Sequence, residues 1–431
     1  MKYTSIILCF SLQAIAFPFA IDELEKRQVP STDALQAISR ARSNCGNIPC
    51  LVFDEESQYV STSGDHAWAA PKDDEIRGPC PGLNAAANHG YLSRSGITTL
   101  TETIEGLAAA FGMGPGLSGF LAAYAIIMNG DVLLQQWSIG GPPPSDTLTA
   151  SLLGQPQGIS YAHNTYESDM SIGRFDAYTN NGDAHSLDIN RFKQAYETGM
   201  NDDRYTLDLF AQDYEAKGKQ SVAENPYFFS APFSGILVAP AAYFFVINLM
   251  SNHSQAEPSG YLDGNTFKEF FAVTGDYPDF AWQRGQERIP ENWYRRTLTN
   301  PYDIPQADSD LGVQYSAYPD SFRLGGNTNG VNSYAGVDLG NLTGGVMNFE
   351  YLFNTDSPKA SCFFAQFAQS LIPDSASLLL SESSAITDLL NDKILSVVAD
   401  MDCPTVDKFD QSLFNKFPGY KYSPTGGAQN W

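Results

Sequence analysis

The stretch Arg77-Gly-Pro-Cys-Pro-Gly-Leu-Asn-Ala-Ala-Ala-Asn-His-Gly-Tyr91 sets a cysteine between two prolines just before a helix-forming run. Pro79 donates no backbone hydrogen bond, and Pro81 suits the first helical position, where a missing N–H costs nothing. Cys80 is then the N-cap of a helix whose free N–H groups and positive end point at its sulfur. That environment is expected to lower a thiol pKa and hold a thiolate, the form that ligates metal ions. The ordinary alternative for a cysteine in a secreted chain is half of a disulfide. Six cysteines occur, and Cys9 falls in a removable leader, so one of the remaining five goes unpaired. Cys45 and Cys50 are close enough to bridge locally, Cys362 and Cys403 flank a helical C-terminal segment, and Cys80 is left over.

The run Pro79-Cys-Pro-Gly-Leu-Asn-Ala-Ala-Ala-Asn-His-Gly-Tyr-Leu92 resembles the proximal loop of the fungal haem-thiolate peroxidases, the chloroperoxidase and unspecific peroxygenase family. The resemblance implies that Cys80 is the axial thiolate of a haem b iron. A second family-like motif is His163-Asn-Thr-Tyr-Glu-Ser-Asp-Met-Ser-Ile-Gly-Arg174. The family carries a Glu-Gly-Asp or Glu-His-Asp tripeptide here, with a serine two residues after the aspartate. There the glutamate, the next backbone carbonyl and the serine bind Mg²⁺ beside a haem propionate. Glu167-Ser168-Asp169 and Ser171 keep that spacing, so the resemblance implies Mg²⁺ on Glu167, the Ser168 carbonyl and Ser171. Oxygen ligands from one tight loop suit this hard ion. Without the resemblance, the same stretch reads as a solvated acidic turn capping a helix. Asn181-Gly-Asp-Ala-His185 also fits the family pattern, and His89, His163 and His185 read as structural hydrogen-bonding residues. The resemblance runs from about Gly78 to Cys403. It takes in Met113 to Gly141, Asn225-Pro226 and the Arg288 to Arg296 block, and is weakest over residues 297–346. The separation of Cys362 from Cys403 resembles the single disulfide of the longer subfamily.

A thiolate axial ligand favours O–O cleavage, so the family resemblance implies a hydrogen peroxide-dependent oxidation or oxygenation of a small organic substrate, aromatic or lipophilic. Family members also carry a distal glutamate that moves a peroxide proton, with an arginine two helical turns before it. Here the corresponding segment, Ser234 to Met250, contains no Glu, Asp, Arg or His. Ala241 takes the glutamate position and Ser234 falls near the arginine position. Tyr243, His253 or ordered water remain as stand-ins.

The elements that must hold these residues are mostly helical. Thr99-Leu-Thr-Glu102 reads as a capping box opening a helix through Ala110. Leu117 to Met128 reads as a buried helix stopped by a left-handed cap at Asn129-Gly130. Asp188 to Gly199 and Asp202 to Gly218 predict further helices, and Pro232 to Met250 should line or back a cavity. Tyr277-Pro-Asp279 is expected to end one helix and Arg288 to Arg296 to start another. Residues 297–346, rich in Asn, Gly, Pro, Ser and Tyr, predict an extended loop with a short hairpin. Leu378 to Ala399 predicts a helix, followed by a polar tail to Trp431.

Residues 1–20 read as a secretory leader, and Glu23-Leu-Glu-Lys-Arg27 offers a dibasic cut that makes 21–27 a pro-piece. Asn252 and Asn341 head glycosylation sequons suited to that route. The net charge of −24 is unchanged by processing, because Lys2, Lys26 and Arg27 leave with Asp22, Glu23 and Glu25. So acidic a chain repels nucleic acid and anionic membrane, which excludes both as partners. No linker, repeat or low-complexity block divides residues 28–431. The expectation is a mainly α fold, one large helical haem-binding domain with long loops, secreted and acting as a peroxidase or peroxygenase. The alternatives are a haem-thiolate pathway enzyme without peroxygenase activity and a non-catalytic secreted haem binder.

Overall fold

Side-chain caps start most of the helices. The computed structural model describes residues 44–45, 50, 52–144, 155–354, 359–371 and 390–422. The leader (1–20), the pro-piece (21–27), residues 378–389 of the expected C-terminal helix and the tail ending at Trp431 lie outside the described residues. The longer helices are α1 (Pro81–Asn88), α2 (Leu100–Phe111), α3 (Pro115–Asn129) and α4 (Ile189–Gly199). They continue with α5 (Leu207–Glu224), α6 (Ala239–Met250), α7 (Gly264–Phe270), α8 (Ile304–Ala317) and α9 (Ala360–Ser370).

The Thr99 hydroxyl accepts from the Glu102 N–H and the Glu102 carboxylate accepts from the Thr99 N–H, which starts α2 as the sequence predicts. Asp188 caps α4 in the same way, accepting from the N–H groups of Asn190 and Arg191. Thr206, and not Asp202, caps α5, which starts later than expected and runs on to Glu224. The left-handed cap expected after α3 is absent: Gly130 is extended, with φ −113°.

Three small antiparallel sheets complete the mainly helical fold. β1 (Ile97–Thr99) pairs with β2 (Gln136–Ser138), and β4 (Val273–Thr274) with β5 (Ala281–Trp282). β3 (Phe229–Ser230) pairs with β6 (Gly325–Asn327), which forms a hairpin with β7 (Tyr334–Gly336). That hairpin lies in the region read as a loop, but so does α8, which the loop reading missed. The chain before Tyr277 is not helical: α7 ends at Phe270, and Ala272 turns left-handed at φ 53°. Arg288 to Arg296 starts no helix either. Asn292 is left-handed, the Trp293 indole donates to the Met250 carbonyl, and Tyr294 bridges to Tyr59. Residues 390–398 form short wide and tight turns in place of a regular α-helix.

Helices α1, α2, α3, α6, α8 and α9 all contribute side chains to the wall of an apolar cavity. One carboxylate joins α3 to α8. Asp303 caps α8 by accepting from the Ile304 N–H, and it also accepts from Gly116 and Leu117 in the first turn of α3. A Cβ on Gly114 would lie 2.3 Å from that carboxyl group, so the approach requires glycine. Among the described residues no helix is long and apolar enough to cross a membrane.

Cys45 pairs with Cys50 and Cys362 with Cys403, at Cα separations of 5.8 and 5.6 Å. The first closes a sequence separation of 5 and the second of 41. On loop entropy, Cys362→Ala with Cys403→Ala should cost about 4 kcal/mol of unfolding free energy, and the Cys45, Cys50 pair about 2 kcal/mol. Urea unfolding of the two double variants checks this. Equal losses would show that loop length does not set the contribution.

Candidate active site

Cys80 caps α1 with φ −89° and ψ 111°, Pro81 takes the first helical position, and the sulfur faces the cavity. Among the described residues it is the cysteine that is not in a disulfide. The loop that carries it is clamped by Asn84, whose amide accepts from the Gly78 N–H at 3.0 Å and donates to the Gly78 carbonyl at 2.9 Å. Gly78 presses against Ile139 and Gly140, where a Cβ would sit 2.0 Å from the Ile139 oxygen. Its position therefore depends on the Ser-Ile-Gly-Gly run ending at Gly141 as well as on the proline pair.

The expected low thiol pKa is corrected. Burial in an apolar wall pushes the Cys80 thiol up, against the N–H groups of Leu83 and Gly82 and the positive charge of Arg174, which favour thiolate. Desolvation outweighs the helix terminus. No N–H of the first turn makes a cap hydrogen bond to the sulfur, though those of Gly82 and Leu83 lie near enough to favour the thiolate that a metal ion would stabilise.

The Glu167 loop enters the same cavity. His163 Nδ1 lies 2.8 Å from Glu167 Oε2, whereas Oε1 is buried with no hydrogen-bond partner. Burial disfavours the imidazolium, but Glu167, Asp169 and Asp176 outweigh it and hold the His163 pKa up to about 9. Burial raises the Glu167 pKa, and His163 opposes it. The Ser171 hydroxyl donates to the Ser168 carbonyl at 2.7 Å, which places those two oxygens together. Glu167 and Ser171 line the cavity. Behind the loop, Asp169 accepts from the Ala177 N–H and the Asn225 amide, and Asp176 is paired with Arg191 at 2.6 Å. Asp169 is thus a buried support of the loop. The stretch is not a solvated turn.

Sequence reasoning overlooked Arg174, the last residue of its own second motif. It is wholly buried, it lines the cavity, and Nε, Nη1 and Nη2 all lack hydrogen-bond partners. Glu287 lies near enough to favour its charge, though burial works against it. A buried guanidinium with its fork unengaged is a ready partner for a carboxylate. The sequence signal for it was its place in that twelve-residue run. His163 is the structural hydrogen-bonding residue the sequence suggested, and its partner is Glu167. His89 is structural: Nδ1 meets the His66 carbonyl and Nε2 accepts from the Ile289 N–H. His185 is held by Asp183 at 3.2 Å, and burial depresses its pKa to about 3.

From α6 the cavity takes the face of Val238, Ala241, Ala242, Phe245, Leu249 and Met250. Ser234 is buried but does not line it. Neither proposed stand-in reaches it. The Tyr243 hydroxyl donates to the Met170 carbonyl, and His253 Nδ1 is bound to the Pro258 carbonyl. The cavity encloses about 200 Å³ and is lined almost wholly by apolar side chains.

A thiol at a helix terminus and an unengaged guanidinium in the wall of one apolar cavity suit a haem-binding oxidoreductase. Residues 66–298 match the family model described as Peroxidase, family 2. The dothistromin biosynthesis peroxidase dotB of Dothistroma septosporum is 36% identical over 97% of this chain and 98% of its own length. The aromatic peroxidase fscJ of Fusarium equiseti is 33% identical, with 97% of each chain covered. An aromatic peroxygenase of Cyclocybe aegerita is 26% identical over 78% of this chain and 83% of its own. The chain belongs to this family, the fungal haem-thiolate peroxidases. It is a peroxide-dependent oxidoreductase, and the family implies a haem cofactor, hydrogen peroxide and an organic substrate.

Arg174→Met removes the unengaged guanidinium without changing the size of the side chain greatly. Haem retention should fall about 10- to 100-fold, as for supporting residues of metal sites, with the far-ultraviolet spectrum of the fold unchanged. The haem-to-protein ratio after gel filtration measures it, and unchanged retention would show that Arg174 meets no cofactor carboxylate.

Proposed function

We propose that this chain is a secreted haem-thiolate peroxidase or peroxygenase in which Cys80 ligates the haem iron and Arg174 and the Glu167 loop hold the cofactor's carboxylate edge. The observation that carries the reading is the unpaired Cys80 sulfur, fixed by the Asn84 clamp in the wall of the apolar cavity that Arg174 and Glu167 also line. When bound, haem supplies the iron at which the O–O bond of peroxide breaks, and thiolate ligation favours that cleavage.

The chain's own residues do the rest. Gly82 and Leu83 N–H groups favour the sulfur in its charged form. Glu167 Oε1, the Ser168 carbonyl and Ser171 Oγ form an oxygen set suited to Mg²⁺, with His163 fixing the carboxylate's other oxygen. Phe245, Leu249 and the other apolar side chains exclude water and favour a flat apolar substrate. Two of the relatives are named aromatic peroxidase and aromatic peroxygenase, and a third serves dothistromin biosynthesis, which supports an aromatic substrate and a biosynthetic role. The leader over 1–20, the dibasic site at 26–27 and the sequons support secretion of a domain spanning 28–431. Of the sequon residues Asn341 is exposed, and Asn252 is half-buried with its side chain accepting from the Tyr294 N–H.

The reduced carbon monoxide complex should show the strongly red-shifted Soret band of a thiolate-ligated haem, and Cys80→Ala should lose it. A histidine-type spectrum in the parent protein would refute the assignment. Peroxide-driven turnover of a phenolic dye and of an aromatic C–H substrate then separates peroxidase from peroxygenase. Haem loading without turnover of either would mark a binder.

For the metal, Glu167→Gln should retain less haem and less magnesium than the parent after dialysis against a chelator. Comparable losses in both proteins would leave Glu167 as a structural partner of His163.

A further inference from the structure

Breaking the O–O bond of hydrogen peroxide heterolytically requires that a proton move from one oxygen to the other, and α6 carries no group to move it. Among the described residues two carboxylates line the cavity, Glu167 and Asp308. Glu167 is occupied by His163 and lies near Asp176 and Asp183, in the loop that also carries Arg174. Asp308 lies elsewhere. It sits on α8, on the face that also gives Ile304 and Ala307 to the cavity, and α8 packs against α6.

Its setting is that of a proton carrier. Oδ2 accepts from the N–H of Ser361 at 3.4 Å and, at closer range, from the Ser361 hydroxyl at the start of α9. Oδ1 makes no hydrogen bond to a described residue. Among the described residues no cation is paired with the carboxyl group. Burial lifts its pKa to about 7, with both Ser361 bonds opposing, so that both protonation states are accessible near neutrality. Tyr302 is a titratable neighbour that its charge reaches, and the Met401 sulfur lies 3.5 Å from the Ser361 hydroxyl. Asp310, on the same helix, is engaged by Tyr302 and Asn248. A carboxyl group buried without a countercharge costs stability, and perturbed groups of this kind in a cleft mark functional sites.

We propose that Asp308 is the acid–base residue for peroxide in this chain, supplying from α8 the carboxylate that α6 lacks. This rests on the haem-thiolate reading above. The Asp308 carboxylate takes the proton from the oxygen that is to be retained. The resulting carboxylic acid then gives that proton to the other oxygen, which leaves as water carrying both protons of the peroxide. The carboxyl group ends as it began. Haem held by Cys80 would supply the two electrons that this O–O cleavage consumes and the site where the retained oxygen stays. Ser361 is a positioning residue that orients Oδ2 and leaves Oδ1 toward the cavity.

The test uses haem-loaded Asp308→Asn. Its carbon monoxide spectrum should match the parent's, which keeps a failure here distinct from a failure of the Cys80 assignment. The first spectral change on stopped-flow mixing with peroxide should slow by about 10²- to 10⁴-fold. Adding Ala241→Glu should recover part of the rate. Ligand binding gives a readout apart from turnover. Hydrogen cyanide must leave its proton on the protein to bind as an anion, whereas neutral imidazole need not. Cyanide affinity should therefore fall in Asp308→Asn while imidazole affinity holds. An unchanged peroxide step, or equal losses for cyanide and imidazole, would overturn the proposal. If Asp308→Asn does not retain haem, Ser361→Ala decides. Loss of its hydrogen bond should raise the Asp308 pKa and move the pH midpoint of cyanide binding upward, and an unmoved midpoint would overturn the proposal equally.

Discussion

The site depends on the reciprocal pair of hydrogen bonds between the Asn84 side chain and the Gly78 backbone. This amide clamp closes the loop around Cys80 and fixes the sulfur relative to the first turn of α1. It works because Gly78 can lie flat against Ile139 and Gly140, where no side chain fits. A thiol on a free loop would sample many directions, and a thiol inside a helix would point along its face. Only the N-cap turns the sulfur toward the free N–H groups, and only a clamped N-cap keeps it there.

The cavity beyond that sulfur is divided electrostatically. Arg174 and Glu167 line it with hydrogen-bonding capacity left unused, and Glu287 lies near the guanidinium. The walls from α2, α3 and α6 are almost wholly apolar, and Asp308 stands as the carboxyl group facing in from α8. A flat cofactor with carboxylates on one edge matches this division. Tyr166, near Cys80, has its pKa raised by burial and, where Cys80 is ionised, by the thiolate's charge, so it remains a neutral phenol on that wall.

Local chemistry made the site legible. The proline-flanked cysteine, the Thr99–Glu102 box and the Asp188 cap each act within one turn of chain, and the structure contains all three. Helix α8 was hidden because its composition, with Pro305, Ser309 and Gly312, is that of a loop. Its local signal was the Asp303–Gln306 box with proline at the start. What stabilises it is distant, the packing against α6 and the bond from Asn248 to Asp310. Arg288 to Arg296 failed in the opposite sense. It is a good helix pattern pulled into extended form by Arg296, whose guanidinium reaches Asn248, Asn300 and the Cys45 carbonyl. The thiol's raised pKa was illegible for a similar reason, since desolvation is a property of the whole cavity.

Asp303 ties the N-terminal ends of α3 and α8 to one carboxylate. Two helix dipoles thereby converge on a single negative charge, and neither helix can slide or tilt at that end without breaking the other's cap. The wall bearing Ser118 and Leu121 and the wall bearing Asp308 thus behave mechanically as one jaw. Evolution of a wider or narrower cavity in this lineage would then have to proceed by exchanging side-chain volumes on fixed backbones. Loss of the Asp303 carboxylate alone would free both helix ends at once and let the two walls part.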